Sequence, residues 1–178
     1  MKRLLVFSAL VVAMAVLAVP SYATGPAWTA QAHFERVNPL FSCVVLKLDL
    51  QVTQTTASAE YWATDTCDNF ETPHLTGTTA LTPDQVSLGS FSTASLTNAV
   101  VDVESDDAFQ EFTFNLTWTG SGNVTVSHPI AGTGDVKRQT AAAVTGSTMA
   151  LGPDGEFPLF SGSDVTDAEI AQVFHTLG

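Results

Sequence analysis

Two-residue alternation of apolar and polar side chains recurs along this chain and constrains its fold more than any other feature. Phe112, Phe114, Leu116 and Trp118 alternate with Thr113, Asn115 and Thr117. Val44, Leu46, Leu48, Leu50 and Val52 alternate with Val45, Lys47, Asp49 and Gln51, and Ala30, Ala32 and Phe34 with Thr29, Gln31, His33 and Glu35. A period of two places one set on each face of an extended strand, so the apolar set of each segment faces a core. Further strands are expected over 58–64, 74–81, 95–104, 124–128 and 139–149. Two dozen threonines and eleven phenylalanines suit pleated, half-buried surfaces. Turn chemistry fills the gaps, as in Gly120-Ser121-Gly122, Gly132-Thr133-Gly134 and Gly152-Pro153-Asp154-Gly155. Seven to nine short strands at this spacing predict a mainly β chain, an antiparallel β-sandwich or open barrel.

The C-terminus reads two ways. Ile170, Val173, Phe174 and Leu177 form a helical stripe, and Thr166 with Glu169 has the form of a capping box. This favours a short C-terminal helix, with a closing strand as the rival.

Before the strands stands a leader. Lys2 and Arg3 precede an apolar run from Leu4 to Val19, followed by Pro20 and Ser21-Tyr22-Ala23. A basic start, a short apolar stretch and a small-x-small ending are the pattern of a secretory signal peptide over residues 1–23. The run falls short of the ~20 residues that span a bilayer, and Pro20 breaks a helix where an anchor would continue. Residues 24–178 are then expected to form a single secreted β domain, released extracellularly or into a periplasm. Loss of the leader leaves four basic against 18 acidic residues. Such a field repels phosphate backbones, so nucleic acid is not an expected partner, and neither is an anionic lipid surface.

The two cysteines are Cys43 and Cys67. A hairpin centred on Thr55 sets position 43 opposite position 67, so an oxidising compartment would join them in a structural disulfide. The same register sets Leu48 opposite Trp62 and turns Trp62, like Trp118, toward the core. Trp28 and Tyr61 then face outward, as candidate contacts for a sugar ring.

The remaining chemistry is sparse. His33, His74, His128 and His175 fall in separate elements without metal-ligand spacing. Asp102, Glu104, Asp106 and Asp107, with Glu111 close behind, form the densest acidic cluster. A strand end and the turn after it could offer several oxygens to calcium, so these four are the candidate metal ligands. Asp65, Asp68, Asn69 and Glu71 make a second, smaller cluster. No nucleophile elbow or Walker loop is present.

The stretch Ser95-Leu96-Thr97-Asn98-Ala99-Val100-Val101-Asp102-Val103, followed by Leu116-Thr117-Trp118-Thr119-Gly120-Ser121-Gly122, resembles uncharacterised secreted bacterial β-rich proteins. The resemblance implies export and a β fold, and carries no catalytic or ligand residue. The sequence-level expectation is therefore a secreted, non-enzymatic domain that binds extracellular or envelope material, glycan or protein. The alternatives are a glycoside hydrolase-like enzyme with a carboxylate pair drawn from the acidic cluster, and a structural coat protein.

Overall fold

A computed structural model describes residues 27–127, 136–153 and 155–174. The leader over 1–23, His128, His175, Leu177 and the Gly132-Thr133-Gly134 turn lie outside the described residues. The strands are β1 (Ala27–Val37), β2 (Val44–Thr53), β3 (Thr56–Asp65), β4 (Phe70–Glu71), β5 (Leu75–Ala80) and β6 (Val86–Leu88). They continue as β7 (Thr93–Glu104), β8 (Phe109–Gly120), β9 (Thr125–Ser127), β10 (Val136–Gly152), β11 (Gly155–Ser161) and β12 (Val165–Phe174). All twelve belong to one antiparallel sheet, more strands than the seven to nine expected: the short β4 and β6, and β11 and β12 in the C-terminal segment, are the additions.

Pairing runs β1-β2-β3-β5-β7-β8-β10-β12 and returns from β12 to β1. The sheet thus curls into an eight-strand meander, an antiparallel barrel open along most of one seam. That seam is β5–β7, where Thr76 opposite Glu104 is the single paired position. Gly77 allows the two strands to approach: a Cβ there would lie 1.8 Å from the Asp102 carbonyl oxygen. Gly146 serves β10 against β8 in the same way, and its φ of +111° is a second reason for glycine.

The expected core sets of β1, β2 and β8 point inward. Phe34, Leu48, Leu50, Phe112, Phe114 and Trp118 are all buried, and side chains fill the interior, as in other small barrels. The Trp118 indole N–H donates to the Gln31 carbonyl at 2.9 Å, linking β8 to β1. Apolar side chains inside and polar ones outside reverse the polarity of a barrel that faces lipid.

Two expectations need correction. The C-terminal segment is not a helix: Val165–Phe174 is a strand paired to β1 on one side and β10 on the other. Two hydrogen-bonded ladders and ring closure outweigh a four-residue apolar stripe. The helical turn that does form is a 3-10 turn over Gly162–Asp164, where the Ser161 amide donates to the Asp164 carboxylate at 2.8 Å.

The second correction is the register of the β2–β3 hairpin. Leu48 lies opposite Tyr61, and Lys47 opposite Trp62, one residue from the expected pairing. A two-residue turn sets it, with the Thr53 hydroxyl accepting from the Thr55 and Thr56 amides at 3.2 and 2.9 Å. A one-residue slip exchanges the faces of a strand. Tyr61 therefore packs on the core and Trp62 lies on the outer face. The cysteines sit just beyond the last pair, Val44 with Asp65, and the Cys43–Cys67 disulfide forms with Cα atoms 5.5 Å apart.

Candidate functional site

Because strands bring side chains of one face into cross-strand rows, the outer surface of β12-β1-β2-β3-β5 is ordered. One row is Gln31, Gln51, Ser58 and Thr78, each directly opposite the next. The adjacent row is Asp167, His33, Asp49, Glu60 and Thr76. These rows line an open groove of about 900 Å³, with Lys137 and Glu169 at the β10–β12 end. Amides and hydroxyls thus recur along one line of the groove at the strand spacing of ~4.8 Å, and carboxylates with one imidazole along the other.

Beside the groove the charges form a network. His33 sits between two carboxylates, with Nδ1 against Asp49 and Nε2 3.2 Å from Glu35. Lys47 lies 3.3 Å from the same Glu35 oxygen. His74 repeats the arrangement, with Nδ1 against Glu60 and Nε2 2.7 Å from Glu71. Trp62 lies between the two rings, stacked on His74 at 4.7 Å between centroids and 6.0 Å from His33. Burial opposes charging of His33, but the hydrogen bonds to Asp49 and Glu35 outweigh it and raise its pKa. His74 is raised by its bonds to Glu60 and Glu71. The bond from His33 holds Glu35 below the usual glutamate range.

This arrangement bears on chemistry. Each imidazole has a carboxylate at both nitrogens, so no free lone pair remains to draw a proton from a nucleophile. In the neighbouring row, the Ser58 and Thr78 hydroxyls bond each other at 2.9 Å. Glu35 is shifted downward, opposite to the direction a general acid requires.

The residues singled out from sequence lie elsewhere. Asp102 and Glu104 project outward from β7, and Asp106 and Asp107 occupy the turn before β8. All four are exposed and none lines the groove. Glu111 stands directly opposite Asp102. Among the described residues, the one set of three metal-type ligand atoms within 4.8 Å is Cys43, Asp65 and Cys67. Both of its sulfurs are committed to the disulfide. The Asp65 carboxylate accepts instead from the Cys67 and Asp68 amides, at 2.9 and 3.2 Å, which fixes the turn. Trp28 is half-buried, its ring 4.8 Å from Phe91, and Tyr61 meets Phe112 edge-on at 5.3 Å. Burial raises the Tyr61 pKa.

Sequence reasoning passed over His33, Asp49, Glu60, His74 and Trp62 as a set. Two registers bring them together: β1–β2 sets Asp49 opposite His33, and the β2–β3 hairpin sets it opposite Glu60. No family model, no curated protein and no solved structure matches this chain.

Proposed function

We propose that this chain is a secreted, non-enzymatic binding module whose outer-face groove takes a hydroxyl-rich glycan, neutral or bearing amino groups. The observation that carries the reading is the pair of cross-strand rows: Gln31, Gln51, Ser58 and Thr78 beside Asp167, His33, Asp49 and Glu60. A repeating polymer of hydroxyl groups matches a ladder of donors and acceptors spaced by the strands. The carboxylate row favours ammonium groups and repels uronate, sulfate and phosphate. Export supports the same reading: the leader pattern over 1–23 agrees with a disulfide, which persists in oxidising compartments.

The test is retention of the oxidised 24–178 chain on cellulose, chitin, chitosan and alginate, with calcium and with chelator. Retention on a neutral or amino-bearing polymer, lost in the Gln51→Ala/Ser58→Ala variant and absent on alginate, is the expected result. Equal retention of wild type and variant would remove the groove from the account. Retention that requires calcium would return attention to Asp102, Glu104, Asp106 and Asp107.

A further inference from the structure

The meander places the β1–β2, β3–β5, β7–β8 and β10–β11 connections at one end of the barrel. All four exposed phenylalanines among the described residues lie there. Phe41 is in the β1–β2 loop, Phe70 on β4, Phe109 at the start of β8 and Phe157 on β11. Val37, Leu40 and Leu151 join them, and Leu40 is 82 % exposed. Among the described residues, the exposed large apolar side chains near the opposite end are Val124 and Val126.

The elements carrying these side chains are tied together. The disulfide joins the loop of Phe41 to the turn before Phe70, and the Thr66 amide donates to the Cys43 carbonyl at 2.8 Å. Arg36 donates to the Leu159 carbonyl at 2.7 Å, fastening β1 to β11. Gln110 donates to the Leu151 carbonyl at 2.9 Å, fastening β8 to β10. A phenylalanine about 60 % exposed presents on the order of 100 Å². The four rings, distributed around this one end, therefore sum to several hundred Å² of exposed apolar surface, the order of area found at interaction sites.

Charge selects the occupant. Asp65, Asp68, Glu104, Asp106, Asp107 and Glu156 share this end. The cations nearest to it are engaged, Arg36 with the Leu159 carbonyl and Lys47 with Glu35. A second copy would bring the same carboxylates face to face, and anionic lipid would be repelled. We infer that this rim docks a cationic, amphipathic protein segment, its apolar side chains on the phenylalanines and its basic ones on the carboxylates around them. The surface is separate from the groove and does not depend on its glycan.

The inference is tested by titrating the oxidised 24–178 chain with a synthetic peptide of alternating lysine and leucine, read by calorimetry. The expected result is saturable binding, weakened at least tenfold in Phe41→Ser/Phe70→Ser and in Phe109→Ser/Phe157→Ser. Val126→Ser, at the other end, should bind as wild type does, and a glutamate-leucine peptide should not bind. Two variants on different arcs of the rim guard against a local folding defect, and circular dichroism checks each. Binding indifferent to the phenylalanines would show only a general attraction of cations to an acidic protein and would overturn the inference. Self-association or uptake by phosphatidylcholine vesicles that the same serine variants abolish would overturn it as well.

Discussion

The groove wall and the rim are built from the same strands, yet they differ in how their side chains are satisfied. On the wall, His33, Glu35, Asp49, Glu60, Glu71 and His74 are partnered, and Trp62 is covered by its neighbours. At the rim, Phe41, Phe70 and Phe109 stand about 60 % exposed. Strand pairing explains the first, since opposite residues on adjacent strands lie close enough to interact whatever their chemistry. At the rim the strands end: Phe41 stands in a loop, and Phe70 and Phe109 sit on terminal pairs, opposite Asp65 and Glu104, with their rings left exposed. A polar surface fixed in advance suits a ligand with many weak, spaced hydrogen bonds. An apolar surface left uncovered suits a partner that excludes water.

The largest effect that would break this contrast is loss of the disulfide. Cys43→Ser/Cys67→Ser opens a loop of sequence separation 24, worth roughly 3–4 kcal/mol in the chain-entropy model. Denaturant unfolding should show that loss. Amide exchange should rise first at Thr66 and Thr72, next to the rim, and last at Leu50 in the wall. Uniform acceleration would mean that wall and rim open as one unit.

Next in size is Gly77→Ala, which forces a Cβ against the Asp102 carbonyl at the open seam. The expected cost is about 1–3 kcal/mol, measured by thermal unfolding, with weaker glycan retention because Gly77 lines the groove. Stability equal to wild type would show that the seam yields easily.

A pH series sharpens the wall. The pKa values of His33 and His74 are raised above their ordinary 6.5. Their contribution is fully present below about 6.5 and is lost as pH rises through the folded values. Glu35 is lowered from 4.5, so its contribution is present above about 4.5 and fades as pH falls through its folded value. The network should be strongest between those limits. For such exposed pairs the effect stays below about 1 kcal/mol each. The difference in unfolding free energy between pH 5.5 and 8.5 should shrink in His33→Gln/His74→Gln. An unchanged difference would remove the two clasps from the account of stability.

The smallest effect belongs to the rim itself. Phe70→Ser should alter stability by no more than about 0.5 kcal/mol, as for exposed positions generally. A larger loss in chemical denaturation would mean that the phenylalanine packs within the protein and is not available to a partner.

How much of this was legible in the sequence depends on which signal each feature leaves. Alternation gave the inward faces of β1, β2 and β8, and placed Asp102 and Glu104 together on the outside of β7. The cysteine spacing gave the disulfide, because a bridge tolerates a shift of one residue. The hairpin register was not legible: it turns on the Thr53 hydroxyl closing a two-residue turn, and alternation is blind to turn length. That single residue exchanged Tyr61 with Trp62 and hid the row that joins His33, Asp49 and Glu60. The closing strand β12 was equally hidden, since its stripe fits a helix and only its two neighbours decide for a strand.

The most direct test of the groove is an amide chemical-shift titration of the isotope-labelled 24–178 chain with a chitosan oligosaccharide. The account predicts shifts centred on Gln31, Gln51, Ser58 and Thr78, with the side-chain amides of both glutamines among the largest, and none at Phe41 or Phe70. Shifts confined to the rim, or no shifts at saturating oligosaccharide, would contradict it.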